Sequence, residues 1–282
     1  MTQITYSNSS NAASPIALLR TFRTHTPLLR RMVRRDVSMR YSGSAFGLLW
    51  SFITPLLMLA VYTFVFGIIF KARFGTAAVE EENTAAFAVT LFCGLIIHQL
   101  MGDIITRAPG IILQHTNYVK KVVFPLEILP VMVCGSALFH FCMNMVVLLA
   151  ALLLMNHAIP LTVFYVPLIL LPFVFMLVGA SWVLASLGVY LRDIGQIMGL
   201  VSTLLLFLSP IFYPASSLPE EFRHLLYLNP LTYVIEMMRG ALLYAHAPDW
   251  YVFALATSVS IVCAWAGYAW FQKTRKGFAD IL

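Results

Sequence analysis

Side chains able to do chemistry are few in this 282-residue chain, and most of them are basic. The densest polar set beside an apolar stretch is His98, Asp103 and Arg107. Such a set could relay a proton within a membrane, but Asp103 and Arg107 stand at i, i+4 and suit an ordinary helix ion pair. A second concentration is "HTNYVKKVVFPLEILP", residues 115–130, where Lys120, Lys121 and Glu127 interrupt two apolar runs. A third is the arginine-rich stretch before residue 44, with Arg20, Arg23, Arg30, Arg31, Arg34, Arg35 and Arg40 against Asp36. Guanidinium groups pair well with phosphate oxygens, so this stretch either attracts anionic headgroups and sets orientation or holds the phosphate of a lipid-linked substrate. No Gly-Lys dipeptide occurs, which excludes a P-loop, so any ATP belongs to another chain. Cys93, Cys134, Cys142 and Cys263 lie singly in apolar runs and read as buried packing residues, with neither metal-site spacing nor a disulfide framework.

The surrounding elements are membrane helices. Hydrophobic residues make up 60% of the chain and charged residues 11%, and the mean hydropathy is +0.85. Soluble domains carry roughly 25% charged residues. Spans of about 20 apolar residues fit residues 44–70, 85–106, 128–155, 163–189, 196–212 and 250–271. The interiors of these spans hold almost no ionisable groups, which disfavours an ion-driven carrier. The leading residues 1–14 are polar, lack the apolar core of a signal peptide and read as a disordered tail.

Charge sets the orientation. Fourteen of the eighteen Lys and Arg fall in the segments before the first span, between the second and third, between the fourth and fifth, and after the last. The positive-inside rule therefore puts both termini in the cytoplasm. The opposite loops agree, with Glu80, Glu81 and Glu82 in one of them. The basic charge fits membrane lipids and topology better than nucleic acid. Residues 15–43 read as a cytoplasmic interfacial helix, because Leu28, Leu29, Met32 and Val33 share a face opposite Arg30, Arg34 and Arg35, with Thr26-Pro27 as an interruption. Residues 230–245 are apolar enough to span, yet Glu236 and Arg239 would each cost about 2.5–3.5 kcal/mol at mid-bilayer. That stretch reads as half of an external re-entrant or interfacial hairpin, 214–248, turned at Pro219 and Asn229-Pro230, or else as an amphipathic surface helix. Rings at Trp50, Tyr62, Phe66, Phe207, Phe212 and Tyr213 either pack and face lipid or wall a pore along which sugars could slide. Gly43–Gly47 and Gly195–Gly199 would let the first and fifth spans approach a neighbour closely. The fold expected is an all-α integral membrane protein with six transmembrane helices, an N-terminal interfacial helix and the external hairpin.

Three stretches together carry a family resemblance. "RRDVSMRYSGSAFGLLWSFITPLLMLAVYTFVF", "NYVKKVVFPLEILP" and "SPIFYPASSLPEEFRHLLYLNPLTYVIEMMRGAL" resemble the pre-helix motif and first span, the loop after the second span, and the external gate of ABC-2 type polysaccharide-export permeases. The similarity runs from Arg34 through nearly the whole remaining chain, and the tail "KTRKGFADIL" resembles the O-antigen branch. The resemblance implies a homodimeric permease in the bacterial inner membrane, with no catalytic residues and no bound cofactor. Two copies of a cytoplasmic ABC ATPase would bind the ATP and Mg. The substrate implied is a polyprenyl-diphosphate-linked glycan, reaching the channel past Arg30, Arg31, Arg34, Arg35 and Arg40. The loop 107–127 would couple to the ATPase through Asn117, Tyr118, Lys120, Lys121, Phe124 and Glu127. The six rings named above would line the channel, and Pro214, Pro219, Asn229, Pro230, Glu236 and Arg239 would belong to the external gate. Residues 272–282 are read as a cytoplasmic tail. The alternatives are an ABC-2 exporter of capsular or teichoic polysaccharide, or of a small lipid or drug. A membrane glycosyltransferase would need acidic metal-holding loops, and a passive channel would need no coupling loop.

Overall fold

A computed structural model describes residues 15–69, 84–120, 124–156, 158–214, 219, 221, 226 and 228–282. The expected disordered tail 1–14, Lys121 and most of the first arm of the hairpin 214–248 lie outside the described residues. All regular structure among the described residues is helical. Helix α1 (Pro15–Arg40) leads to α2 (Trp50–Tyr62), which continues in wider π turns through Thr63–Ile69. Then come α3 (Thr84–Arg107), the short α4 (Ile111–Gln114) and α5 (Thr116–Lys120), α6 (Ile128–Asn156), α7 (Val166–Tyr190) and α8 (Ile194–Leu208). The chain ends with α9 (Pro230–Leu242), α10 (Trp250–Thr274) and the one-turn α11 (Phe278–Ile281).

Among the described residues five stretches are long and apolar enough to cross a membrane: Gly47–Phe66, Ala86–Gln114, Ile128–Met155, Leu161–Tyr190 and Trp250–Ile281. The fifth expected span, 196–212, is shorter than read. Helix α8 has 15 residues, about 22 Å against a hydrocarbon core of about 30 Å. It stops because Ser209 turns extended (φ −103°, ψ 153°) and Pro210 offers no N–H to continue the ladder.

Helix α3 is the buried centre, packed against α6, α8 and α9, and α7 pairs with α10 along most of its length. That pairing depends on small residues. A Cβ added to Gly179 would lie 2.5 Å from the Cys263 carbonyl oxygen, and one on Gly267 would collide with the Gly179 backbone. The glycine pairs singled out from spacing do something else. Gly43 and Gly47 have φ +82° and +50° and form the turn into α2, while Gly195 and Gly199 meet nothing within 4 Å in this chain. Cys93 and Cys134 are buried as expected, but Cys142 and Cys263 are exposed, because α6 and α10 each leave one face uncovered.

Helix α1 keeps its amphipathic character and runs through Pro27 without a break, at the expense of one intrahelical bond. Its apolar face is covered by protein as well as available to lipid. Leu29, Met32 and Val33 join a core cluster with residues of α6 and α7, and Val37 is buried. Gly135 admits this contact, since a Cβ there would stand 2.6 Å from Val33 Cγ2.

Candidate functional site

The segment linking α3 to α6 folds as two short helices and a turn. His115 Nδ1 bonds the Ile111 carbonyl at 3.0 Å, and its ring stacks on Tyr118 with centroids 5.6 Å apart and planes 14° apart. Tyr118 stacks in turn on Phe124 at 4.5 Å and 12°. Both rings are half-buried, whereas Asn117 and Lys120 are exposed. Glu127 is buried: its carboxylate accepts from Arg275 at 3.1 Å, and its carbonyl accepts from the Trp182 indole at 2.9 Å. Lys120 Nζ donates to the Leu282 carbonyl.

Residues 272–282 are thereby tied to this segment. Phe278 is fully buried against Phe271 and Tyr190, and the Tyr190 hydroxyl donates to the Thr274 carbonyl at 2.9 Å. Sequence reasoning missed Trp182, Arg275 and Phe278 as partners of this loop. The lone acidic Glu127 beside a basic tail was a signal for the Arg275 pair.

Arg30, Arg31, Arg34 and Arg35 are exposed on α1, and Arg30 and Arg34 border a groove of about 610 Å³. Its walls are mainly apolar, with Leu29, Val33, Val37, Leu48 and Phe139 contributing. Arg40 is engaged elsewhere, donating to Asp103 at 3.2 and 3.3 Å. The Asp103–Arg107 pair expected from i, i+4 spacing exists at 3.6 Å, but the shorter contacts of Arg107 are to Asp36, at 2.7 and 3.0 Å. The four charges form a chain that braces α1 against α3. Burial pushes the Asp36 carboxyl up, and the Ser136 hydroxyl and Arg107 outweigh it, so its pKa sits below the ordinary value of 3.8.

A depressed carboxylate pKa stabilises the folded state above the unfolded value, and the contribution disappears as pH falls through the folded value. Asp36→Asn is therefore expected to lower thermal stability of the purified protein by about 1–2 kcal/mol, between exposed and buried pairs. That loss is expected to be constant from about pH 5 to pH 8. A loss that changes across that range would show that another titrating group holds α1.

Between α2, α3, α6 and α8 lies a cavity of about 630 Å³. Trp50 and Tyr62 line it, together with His98, which the sequence singled out, and with Gln99, His140 and Asn144, which it did not. Asn144 Nδ2 donates to Gln99 Oε1 at 3.0 Å, His98 Nε2 meets the Ser202 carbonyl at 2.9 Å, and the Tyr41 hydroxyl meets His140 Nδ1 at 3.2 Å. The other four expected rings gather apart from it. Phe66 contacts Phe87 and Phe212, Phe207 stacks on Phe212 at 5.9 Å, and Tyr213 donates to the Phe207 carbonyl.

At the end opposite the link between α3 and α6, α9 is packed into the bundle against α3 and α7, with Leu231, Val234, Ile235 and Met238 buried. This departs from the surface-helix alternative. Asn229 caps α9 through Leu231 N and donates to Ser209 Oγ at 2.8 Å, and Pro230 takes the first helical position. Pro214 is half-buried, Pro219 is exposed, and Glu236 meets Arg239 at 3.5 Å from an exposed position. Arg239 is itself buried. Its NH1 donates to the Pro210 carbonyl at 2.6 Å, NH2 to Ile211 at 3.0 Å and Nε to Thr90 at 3.3 Å. Gly94 leaves room for it, since a Cβ there would stand 3.2 Å from Arg239 NH2.

Among the described residues no group of His, Cys, Asp and Glu could hold a metal ion. The fold defines a multi-pass helical membrane protein. Residues 27–243 match the ABC-2 type transporter family, and the chain belongs to that family, whose members are non-catalytic membrane subunits served by a partner ATPase. It is similar to the O-antigen export system permease protein RfbA of Myxococcus xanthus, 26% identical over 94% of this chain and 99% of the relative. RfbA of Klebsiella pneumoniae is 27% identical over 90% of this chain and 95% of the relative. The capsule polysaccharide export inner-membrane protein CtrC of Neisseria meningitidis is 25% identical over 86% of this chain and 90% of the relative.

Proposed function

We propose that this chain is the membrane subunit of an exporter of lipid-linked polysaccharide, with O-antigen attached to a polyprenyl diphosphate as the substrate. Two copies span the inner membrane with both termini inside, and each engages a separate ABC ATPase through residues 107–127. The observation that carries this reading is the groove beneath α1, where an apolar trough is rimmed by Arg30 and Arg34. An isoprenoid chain suits the trough, and a diphosphate suits the two guanidinium groups. RfbA and CtrC, by their names, both serve polysaccharide export, which supports the glycan and leaves capsular polysaccharide as the second reading. The external end, from Pro214 through Asn229, Pro230, Glu236 and Arg239, acts as the gate.

Deleting the gene is expected to strip the cell of surface polysaccharide while lipid-linked glycan accumulates inside. Unchanged surface polysaccharide would end this reading. Arg30→Gln with Arg34→Gln is expected to reduce export at least about tenfold at low substrate supply, because each charge-assisted bond contributes about 1.5–3 kcal/mol. Insertion and ATPase assembly, measured by co-purification, should stay at wild-type levels; full export by this variant would leave α1 a purely topological element.

A further inference from the structure

The link between α3 and α6 begins and ends on α7. At its start the Pro109 backbone lies so close to α7 that a Cβ added to Gly188 would collide with it. At its finish the Trp182 indole of α7 donates to the Glu127 carbonyl at 2.9 Å. Between these points helix α5 has five residues. A helix that short has no stability of its own and takes its orientation from what it touches.

Much of what it touches belongs to residues 275–282. The Glu127 side chain is turned inward, 10% exposed, and its carboxylate accepts from Arg275 at 3.1 Å. Phe278 is fully buried in a cluster with Trp182 and Phe271, and Tyr118, Phe124 and Leu282 pack against that same cluster. Lys120, the last residue of α5, donates to the Leu282 carbonyl. The tail is seated on α7 as the link is. The Tyr190 hydroxyl donates to the Thr274 carbonyl at 2.9 Å, and Ser186 and Thr274 share a hydrogen bond at 2.7 Å. Gly277 permits the approach, since a Cβ there would stand 2.8 Å from the Tyr190 hydroxyl. Burying the Glu127–Arg275 pair carries a desolvation penalty that a plain connector would avoid by leaving both groups in water.

We propose that Glu127, Arg275 and Phe278 are positioning residues for coupling: the tail holds α5 at a fixed angle on α7, so that a push on α5 moves α7 and α10 together. The proposal rests on the reading of residues 107–127 as the segment that meets the ATPase. The α7–α10 pair is stiff, because Gly179 and Gly267 let the two backbones touch. Helix α10 runs through Thr274 directly into the turn Arg275–Gly277. Displacing the tail therefore displaces α10. Glu127 acts inside this brace, while Asn117 and Lys120 remain exposed on α5.

The test has a structural arm and a functional one. The permease in lipid nanodiscs, its four native cysteines replaced, carries a nitroxide at Asn117→Cys on the exposed side of α5. Arg275→Gln and Phe278→Ala, made separately, are each expected to raise the mobility of that label, read from the line shape before ATPase is added. In cells, without the label, each is expected to lower surface polysaccharide at least about fivefold, the lower end of ordinary coupling between sites. The purified complex should still contain the ATPase and hydrolyse ATP, because the Tyr118–Phe124 stack is retained. Glu127→Arg alone is expected to behave like Arg275→Gln, and Glu127→Arg with Arg275→Glu to recover most of both readouts. An unchanged label in both single variants shows that α5 is held without the tail and overturns the proposal. A mobile label with full surface polysaccharide makes the tail purely structural and overturns it too, as does a reversed pair no better than Glu127→Arg. If Phe278→Ala fails to fold, Arg275→Gln and the reversed pair decide. Failure of the coupling reading is seen separately, as ATPase binding and export retained by Tyr118→Ala with Phe124→Ala.

Discussion

Arg239→Met is expected to cost the protein about 3–5 kcal/mol of stability and to loosen the end of the bundle that holds α9. The guanidinium satisfies the backbone carbonyls of Thr90, Pro210 and Ile211 at once. Two of these belong to the stretch just past α8, where the helix has ended and the carbonyls have no ladder to join. Removing the donor leaves three buried acceptors empty, at about 1–3 kcal/mol each, with the usual shortfall from additivity. Lysine carries the charge but has a single nitrogen, so Arg239→Lys is expected to recover less than half of the loss. Thermal unfolding of the solubilised protein, with proteolysis after Pro210 as a local readout, measures both variants. Wild-type melting by Arg239→Met would mean that these carbonyls are satisfied by other groups and that α9 is held by its apolar face alone.

The second large effect is expected at the link between α3 and α6, the segment proposed to meet the ATPase. The Tyr118–Phe124 stack, with His115 on its other side, is half-buried on the bundle and half-open on the surface formed by α4 and α5. Aromatic anchors of this kind dominate interface energies. Tyr118→Ala with Phe124→Ala is expected to weaken ATPase binding by at least about 2 kcal/mol, roughly thirtyfold, or to uncouple hydrolysis from export. Lys120→Arg keeps the charge and serves as the comparison. The bundle should remain inserted, because Glu127 still ties the segment to Arg275 and Trp182. ATPase co-purification and export at wild-type levels in the alanine pair would remove this segment from the coupling role and place that role on another cytoplasmic surface.

These two regions differ in how they could be read beforehand. Hydropathy alone located five of the spans, since a helix in lipid satisfies its own backbone and needs only apolar side chains around it. The arginine face of α1 was equally legible, because amphipathic periodicity is local. The end of α8 was misplaced by a few residues, as apolar side chains continue through Ile211 and Phe212 although the helix does not. The role of Arg239 was out of reach: a mixed-sign segment explains its exclusion from mid-bilayer, yet its partners at Thr90 and Pro210 lie 149 and 29 residues away.

By itself the sequence determined that the chain is a helical membrane protein, where its basic loops lie, that it holds no P-loop, and which family it resembles. These follow from composition, local period and short motifs, which survive without knowledge of packing. Only the tertiary structure decided which polar groups meet. Asp36 finds Arg107 across 71 positions, Tyr41 finds His140 across 99, and Glu127 finds Arg275 across 148. In a bundle of apolar helices, rotation about each axis is set by the fit of small residues such as Gly135, Gly179 and Gly267. A change of one residue in that fit turns a side chain by about 100°. The polar cavity therefore exists because of the packing, and the pattern of apolar residues along any one helix carries no trace of it.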